Sequence, residues 1–239
     1  MTEFSKKEEE LKQSDIESEK LINQESEIGR PFDWIDKRGV RGEKGIKYEG
    51  VVRYAQEKDR KGIEAVERDK WDERTSTGKR TYDPNKKPEI DELDKSFSEP
   101  DKQRVLVLTI GDDEEVVAWV SFGENYITEV PDPNIKYTEL STVTTMEKYK
   151  KNGFMKRLLK LAEREAQEVF GAQAIILSTQ EENPETVGDP DDPKDIGFYR
   201  AVGYEQLPGR FKSKEGESWY GKSPYYSIHF VKYLKESDK

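Results

Sequence analysis

A chain of 239 residues has room for one ordinary domain with extensions, or for two small ones. Apolar residues make up only 32% and charged residues 38%, so part of the chain carries no core of its own, while four Trp, twelve Tyr and nine Phe exclude disorder throughout. The net charge of −10 disfavours nucleic acid, whose phosphates want a basic face, and suits a cationic partner.

No cysteine is present, which excludes disulfides, Cys-zinc sites and a thiol nucleophile. A single histidine, His229, is too little for a His-based triad or a multi-His site, so no metal is expected. No run is apolar enough for a membrane span, and the first twenty residues have no apolar core of a signal peptide. The expectation is a soluble, cytoplasmic protein.

Residues 1–30 hold nine acidic and five basic side chains and read as a disordered tail. The alternative is an amphipathic partner helix using Leu11, Leu21 and Ile22. Residues 31–45 read as a connecting segment rich in aromatics and glycine. Val51, Val52 and Tyr54 predict a short strand, and Ile63, Val66 and Trp71 recur at helical spacing. Residues 72–88 read as loop, and EIDELDKSF as one or two helical turns.

RVLVLTI and VVAWVSF, separated by the turn GDDEE, predict a hairpin. YTELSTVTT predicts a third strand. The run from Lys150 to Gly171 predicts a helix with Phe154, Leu158, Leu161 and Ala162 on its core face and Gly171 as its stop. AIILST reads as a buried strand, 181–195 as a loop with seven acids and one lysine, GFYRAVG as a short helix, and YEQLP and YYSIHFVKYL as the closing strands. This order predicts an α/β layered domain with a mixed sheet.

The junction TTMEKYKKNGFMKRLL gathers Lys150, Lys151, Lys156 and Arg157 around a helix start. The first amides of a helix lack intrahelical partners and the dipole is positive there. Gly153 lets a ligand approach the backbone, so the junction can seat a pyrophosphate. Its bland alternative is an ordinary helix start with a solvated basic face. There is no Walker A run and no GxGxxG.

The junction, in its place after a Thr-rich strand, resembles the signature of the GNAT superfamily of N-acetyltransferases, Gln/Arg-x-x-Gly-x-Gly/Ala. It stands here as Lys150-Lys151-Asn152-Gly153-Phe154-Met155, preceded by Tyr149. The family's second motif, Phe-Tyr-x-x-x-Gly-Phe, stands as Phe198 to Tyr204. Lysine replaces Gln/Arg at 150 and keeps the charge; Met155 replaces the final Gly/Ala.

The resemblance implies a GNAT-like, mixed and mostly antiparallel central sheet flanked by helices, over residues 46–236 with an acidic loop insertion at 181–195. It implies acetyl-CoA as co-substrate. The backbone of Val143, Thr144 and Thr145 would pair with the pantetheine arm. The helix start, Lys150, Lys151, Asn152, Gly153, Phe154, Met155 and Lys156, would hold the pyrophosphate. The reaction would be direct attack of a primary amine on the thioester, with no covalent enzyme intermediate.

Tyr199 takes the place of the family's tyrosine beside the sulfur. A phenol of pKa about 10 is protonated near neutrality and can donate to the leaving thiolate. Glu139, eleven residues before Lys150, stands at the spacing of a catalytic glutamate in one branch of the family. Its bland alternative is a surface glutamate at a strand end, and Glu124 and Glu129 compete for the role. Strand alternation puts Glu139 on one face with Tyr137, Ser141 and Val143.

Asp192 stands where the family often has an asparagine, and Asn183 is a substitute. The acidic loop would repel phosphates or attract an amine, or simply be solvated. Trp219, Tyr220, Tyr225 and Tyr226 line an acceptor pocket or pack a hairpin, and His229 reads as a packed histidine.

The expectation is thus an acyltransferase acting on a protein Lys or N-terminus, or on a polyamine-like acceptor, with a homodimer as its candidate assembly. The rival is a non-catalytic module of the same fold that uses the acidic tail or loop as its contact surface.

Overall fold

The computed structural model describes residues 28–76, 91–125, 127, 130–181, 194–208, 211–212 and 226–234. The tail expected over 1–30 lies outside them except for its last three residues, as do residues 182–193 of the acidic loop, Glu129, Trp219, Tyr220 and Tyr225.

The elements run β1 (Pro31–Ile35), β2 (Lys47–Tyr54), α1 (Arg60–Ser76), α2 (Asp91–Ser98), β3 (Gln103–Ile110) and β4 (Glu115–Glu124). They continue with β5 (Tyr137–Thr145), α3 (Phe154–Phe170), β6 (Ala174–Glu181) and α4 (Lys194–Ala201). The short β7 (Glu205–Gln206) and β8 (Phe211–Lys212) precede β9 (Tyr226–Tyr233). One sheet joins the strands in the order β1-β2-β3-β4-β5-β6-β9-β7, with β8 also on β9. Among the described strands only β5 and β6 pair in parallel, so the expected mixed, mostly antiparallel sheet is what forms.

The sheet is covered on both faces. Helix α3 lays Leu158, Leu159, Leu161, Ala162, Ala166 and Phe170 over Leu106, Leu108, Phe122, Leu140, Ile175 and Leu177. These helix positions recur every three or four residues and so share one side. Gly171 ends the helix with φ 63, donating its N–H back to the Gln167 carbonyl at 3.0 Å. On the opposite face α1 and α2 bury Ile63, Val66 and Leu93 against Val105, Val107, Val116 and Trp119.

Segment 31–45, read from sequence as a connection, supplies an edge strand. β1 pairs antiparallel with β2 from Pro31↔Val51 to Ile35↔Lys47, and Trp34 is buried in the α3-side core. Phe32 and Trp34 alternate with exposed Pro31, Asp33 and Ile35, but a run of five residues that opens on a proline and leads into a Gly-rich turn is too short to stand out from a loop.

One irregularity shapes the sheet's centre. In the β4–β5 ladder Phe122 faces Leu140 but Ser121 faces Thr142, so Ser141 is an extra residue, a β-bulge. A bulge reverses the alternation beyond it. Leu140 and Val143 therefore both pack on the α3 side. Glu139 and Thr142 turn to the α1/α2 side. The expectation that Val143 shares the face of Glu139 is corrected by this extra residue.

Candidate functional site

The bulge coincides with a fork in the sheet. β5 and β6 pair only from Tyr137↔Ala174 to Leu140↔Leu177. Beyond that pair β5 runs on to Thr145 and β6 to Glu181 with no ladder between them. β5 stays paired with β4 through Thr145, and β6 with β9 through Glu181. Each strand therefore keeps an edge of backbone N–H and C=O groups turned toward the gap, and such edges recruit extended partners. Val143, Thr144 and Thr145, which the resemblance assigns to the pantetheine arm, lie along this edge. Within the same stretch the Thr145 hydroxyl is buried with no hydrogen-bond partner, a polar atom of the kind a ligand satisfies.

Past Thr145 the chain makes a 3-10 turn at Glu147–Tyr149 and then the turn that starts α3. Lys151 has φ 66 and Gly153 φ 77, two successive left-handed residues separated only by Asn152. A Cβ on Gly153 would meet nothing within 4 Å, so the space over the helix start is open. The Asn152 side-chain amide donates to the Tyr149 carbonyl at 3.0 Å and braces the turn, which leaves its backbone as the part of Asn152 that a ligand can use. The Arg157 N–H closes the first helical bond on the Gly153 carbonyl at 3.1 Å. The amides of Phe154, Met155 and Lys156 precede that bond and have no intrahelical acceptor. Phe154 is buried, and Met155 packs partly buried against the core.

The helix start is held from outside the predicted motif. Phe154 meets Trp34 and Phe32 edge-on, at 5.3 and 6.5 Å between ring centroids, and Trp34 meets Tyr149 at 5.8 Å. Arg157 stacks over Phe32 at 3.8 Å. Burial pulls the Arg157 guanidinium below its ordinary value. Tyr149 donates its hydroxyl to Glu115 at 2.7 Å; burial first, and that carboxylate second, push its pKa far up.

The turn after β1 is organised by Asp36, which is fully buried and accepts N–H bonds from Arg38 (3.1 Å), Gly39 (2.8 Å) and Arg41 (2.8 Å). Burial would raise this carboxyl, but the bonds from the Arg41, Val40, Arg38 and Gly39 amides outweigh it and hold it low. Arg38 then reaches the Lys150 carbonyl at 3.0 Å. Sequence reasoning missed Arg38, because only the pairing of β1 with β2 brings it to the helix start.

The two residues expected to act on protons sit on opposite faces of the fork's apex. Tyr199 packs on Phe230 (5.5 Å) and Tyr204 (5.9 Å) on the α3 side. Phe230 is the register partner of Leu177, the last residue of β6 that pairs with β5. Glu139 is partly buried and lies one position before that apex, opposite Ile176, on the α1/α2 side. Glu124 is exposed at the end of β4.

A further carboxylate was not legible in the sequence. Glu92 of α2 accepts a bond from the Thr142 hydroxyl at 3.4 Å, on the same face as Glu139, and burial raises its pKa. Glu67 of α1 lies buried beside it and accepts the Trp119 indole N–H at 3.0 Å. Only the packing of α1 and α2 over β4 and β5 assembles these acids. His229 is buried, as its aromatic strand suggested. Among the described residues no group of His, Asp and Glu side chains is arranged to hold a metal, and no helix is long and apolar enough to cross a membrane.

The sequence profile of the acetyltransferase (GNAT) family matches residues 63–204. Among solved structures, the fold is similar to that of Arabidopsis thaliana NAA60 in complex with a bisubstrate analogue, with TM-score 0.55 and 14% identity over 78% of this chain and 99% of that one. It is also similar to a Desulfovibrio desulfuricans protein of the GNAT family, with TM-score 0.52 and 14% identity over 77% and 98% of the two chains. A third is Vibrio cholerae spermidine N-acetyltransferase in complex with CoA and spermine, with TM-score 0.51 and 14% identity over 77% and 95%. At such identities the likeness is one of fold. No curated protein matches the sequence.

Proposed function

The chain belongs to the GNAT family of acetyltransferases, and we propose that it moves an acetyl group from acetyl-CoA to a primary amine by direct attack. The observation that carries this reading is the fork: an unpaired edge at 141–145 that leads, through one turn, to an open helix start at 153. Its length of extended backbone suits a pantetheine arm, and its end suits a pyrophosphate. The orphaned Thr145 hydroxyl supports the same assignment.

Acetyl-CoA supplies the thioester. The chain's own work is to orient it, to take a proton from the amine and to return one to the sulfur. In this reading the edge of Val143, Thr144 and Thr145 holds the arm. The backbone from Lys150 to Lys156, with the side chains of Lys151 and Lys156, holds the phosphates. Tyr199 is the acid that protonates the departing thiolate, and its seat beside Phe230 supports that role. Glu139, on the opposite face, is the base that deprotonates the amine, directly or through a water.

The acceptor is a cationic amine, on a polyamine-like molecule or on a protein. Glu67, Glu92 and Glu139 on the α1/α2 side give that face the sign such an acceptor needs. The V. cholerae structure that holds CoA and spermine has the same fold, and this supports testing polyamines first.

The test is transfer of labelled acetyl from acetyl-CoA to spermidine, to a lysine peptide and to a peptide with a free N-terminus. Transfer to one of these, abolished by omission of the amine, is the expected result. Coenzyme binding with no transfer to any primary amine would favour a non-catalytic module, and no binding would remove the reading altogether.

A further inference from the structure

Building on the coenzyme reading above, we propose that Arg38, in the turn after β1 and outside the stretch matched by the family, is a direct ligand of the coenzyme's phosphates. In this role it supplies the cation that the family signature places at position 150.

The side chain at position 150 is committed elsewhere. The Lys150 ammonium pairs with Glu147, one turn back. Its neighbour Lys148 pairs with Glu115 at 2.9 Å, and Arg41 is held by Asp113 at 2.7 Å and Glu115 at 3.4 Å. Arg38 differs from all three. Its guanidinium gives one N–H to the Lys150 carbonyl, and among the described residues no carboxylate pairs with it. A guanidinium has five N–H donors in a fixed plane. The remaining donors of Arg38 stand exposed beside the turn that leads to the open helix start at Gly153.

The charge is also held in place. Asp36, buried and bonded to the amides of Arg38, Gly39 and Arg41, fixes the turn that carries Arg38. Asp36 itself is tied to the sheet by its N–H to the Ile46 carbonyl at 2.9 Å, and its carbonyl accepts from Gly45 at 2.7 Å. β1 is pinned to the helix start by Trp34 on Phe154 and Tyr149. A planar guanidinium on a rigid turn matches two phosphate oxygens at once, which a lysine ammonium does not. Losing such a charge-assisted contact weakens binding by about ten- to a hundredfold.

The experiment compares wild type, Arg38→Ala, Arg38→Lys and Lys150→Ala, with circular dichroism as a check of folding. CoA affinity is measured by calorimetry, and turnover with acetyl-CoA is set against turnover with acetyl-pantetheine, which lacks the phosphates. Arg38→Ala should weaken CoA and raise the KM for acetyl-CoA by about tenfold or more, with kcat at saturation kept. Arg38→Lys should recover part of this, and Lys150→Ala should lose less than Arg38→Ala. On acetyl-pantetheine, Arg38→Ala and wild type should be equal.

Unchanged CoA affinity in Arg38→Ala would overturn the proposal while leaving the coenzyme reading intact. An equal loss on acetyl-pantetheine would overturn it too, since Arg38 would then act only on the shape of the site. A wild type that binds no CoA would remove both.

Discussion

The two edges of strand β6 are built from the same residues and do opposite things. Against β9 it keeps an unbroken antiparallel ladder from Ala174↔Tyr233 to Glu181↔Tyr226. Against β5 it pairs for four residues and then parts. Nothing in β6 itself explains the difference. The cause lies across the gap, where Ser141 is inserted into β5 and turns the strand away. The lesson is that the proposed site is a local failure of pairing, bordered by ladders that continue, β4–β5 on one side and β6–β9 on the other. A single residue out of alternation creates the cleft, and the helix start at Gly153 gives it a charged end.

The largest effect should come from removing that residue. Deleting Ser141 removes the bulge, leaves Thr142, Val143, Thr144 and Thr145 on the same β4 partners and faces, and lets β5 run straight beside β6, closing the fork. Steady-state assays should show turnover down by on the order of a hundredfold or more, and acetyl-CoA should no longer raise the Tm. A deletion variant with normal turnover would mean that the bulge does not make the site.

Next come the two faces of the apex. Tyr199→Phe should lower kcat by about a hundredfold, in the range for loss of a general acid, with CoA affinity nearly unchanged. Glu139→Gln should lower kcat and flatten the acid limb of its pH profile. If Glu92→Gln flattens that limb instead, the base belongs to α2 and not to β5.

The two ends of α3 give a smaller contrast. Gly153 and Gly171 both sit at positive φ with open space where a Cβ would go. Alanine at either should cost about 1–2 kcal/mol of stability by urea unfolding. Only Gly153→Ala should also raise the KM for acetyl-CoA.

A last contrast, read through pH, concerns the core beneath α3. Burial and its bond to Glu165 raise the pKa of Tyr54 to about 12, from an ordinary value of 10. The native state then holds a proton that the unfolded chain has released, so this contribution is present below pH 10 and is lost as pH rises toward 12. The Tm should fall over that window, and less steeply in Tyr54→Phe. The variant should also lose about 1–3 kcal/mol at neutral pH, because buried Glu165 is left without its donor.

Much of the fold was legible because its elements carry clean periods. YTELSTVTT forms β5 over the predicted span, and the apolar spacing of Phe154, Leu158, Leu161 and Ala162 gives α3. The signature residues at 150–156 do converge on the helix start. What stayed hidden was whatever depends on pairing between distant segments. Alternation cannot reveal a bulge, so Val143 was expected on the face of Glu139. Trp34 gives no sign that it will brace Phe154, since more than a hundred residues of chain separate them. Arg38 and Glu92 look like any exposed charges until β1 and α2 are packed. Local pattern identifies the elements, and the sheet's register decides which of their side chains meet at the site.

The central claim is that the fork and the helix start together seat acetyl-CoA. Amide hydrogen exchange followed by NMR, with and without acetyl-CoA, tests it residue by residue. The account predicts slowed exchange at residues 142–145 and 153–156, with the β6–β9 ladder unchanged. Binding that leaves both stretches as they were, or that protects residues elsewhere instead, would contradict it.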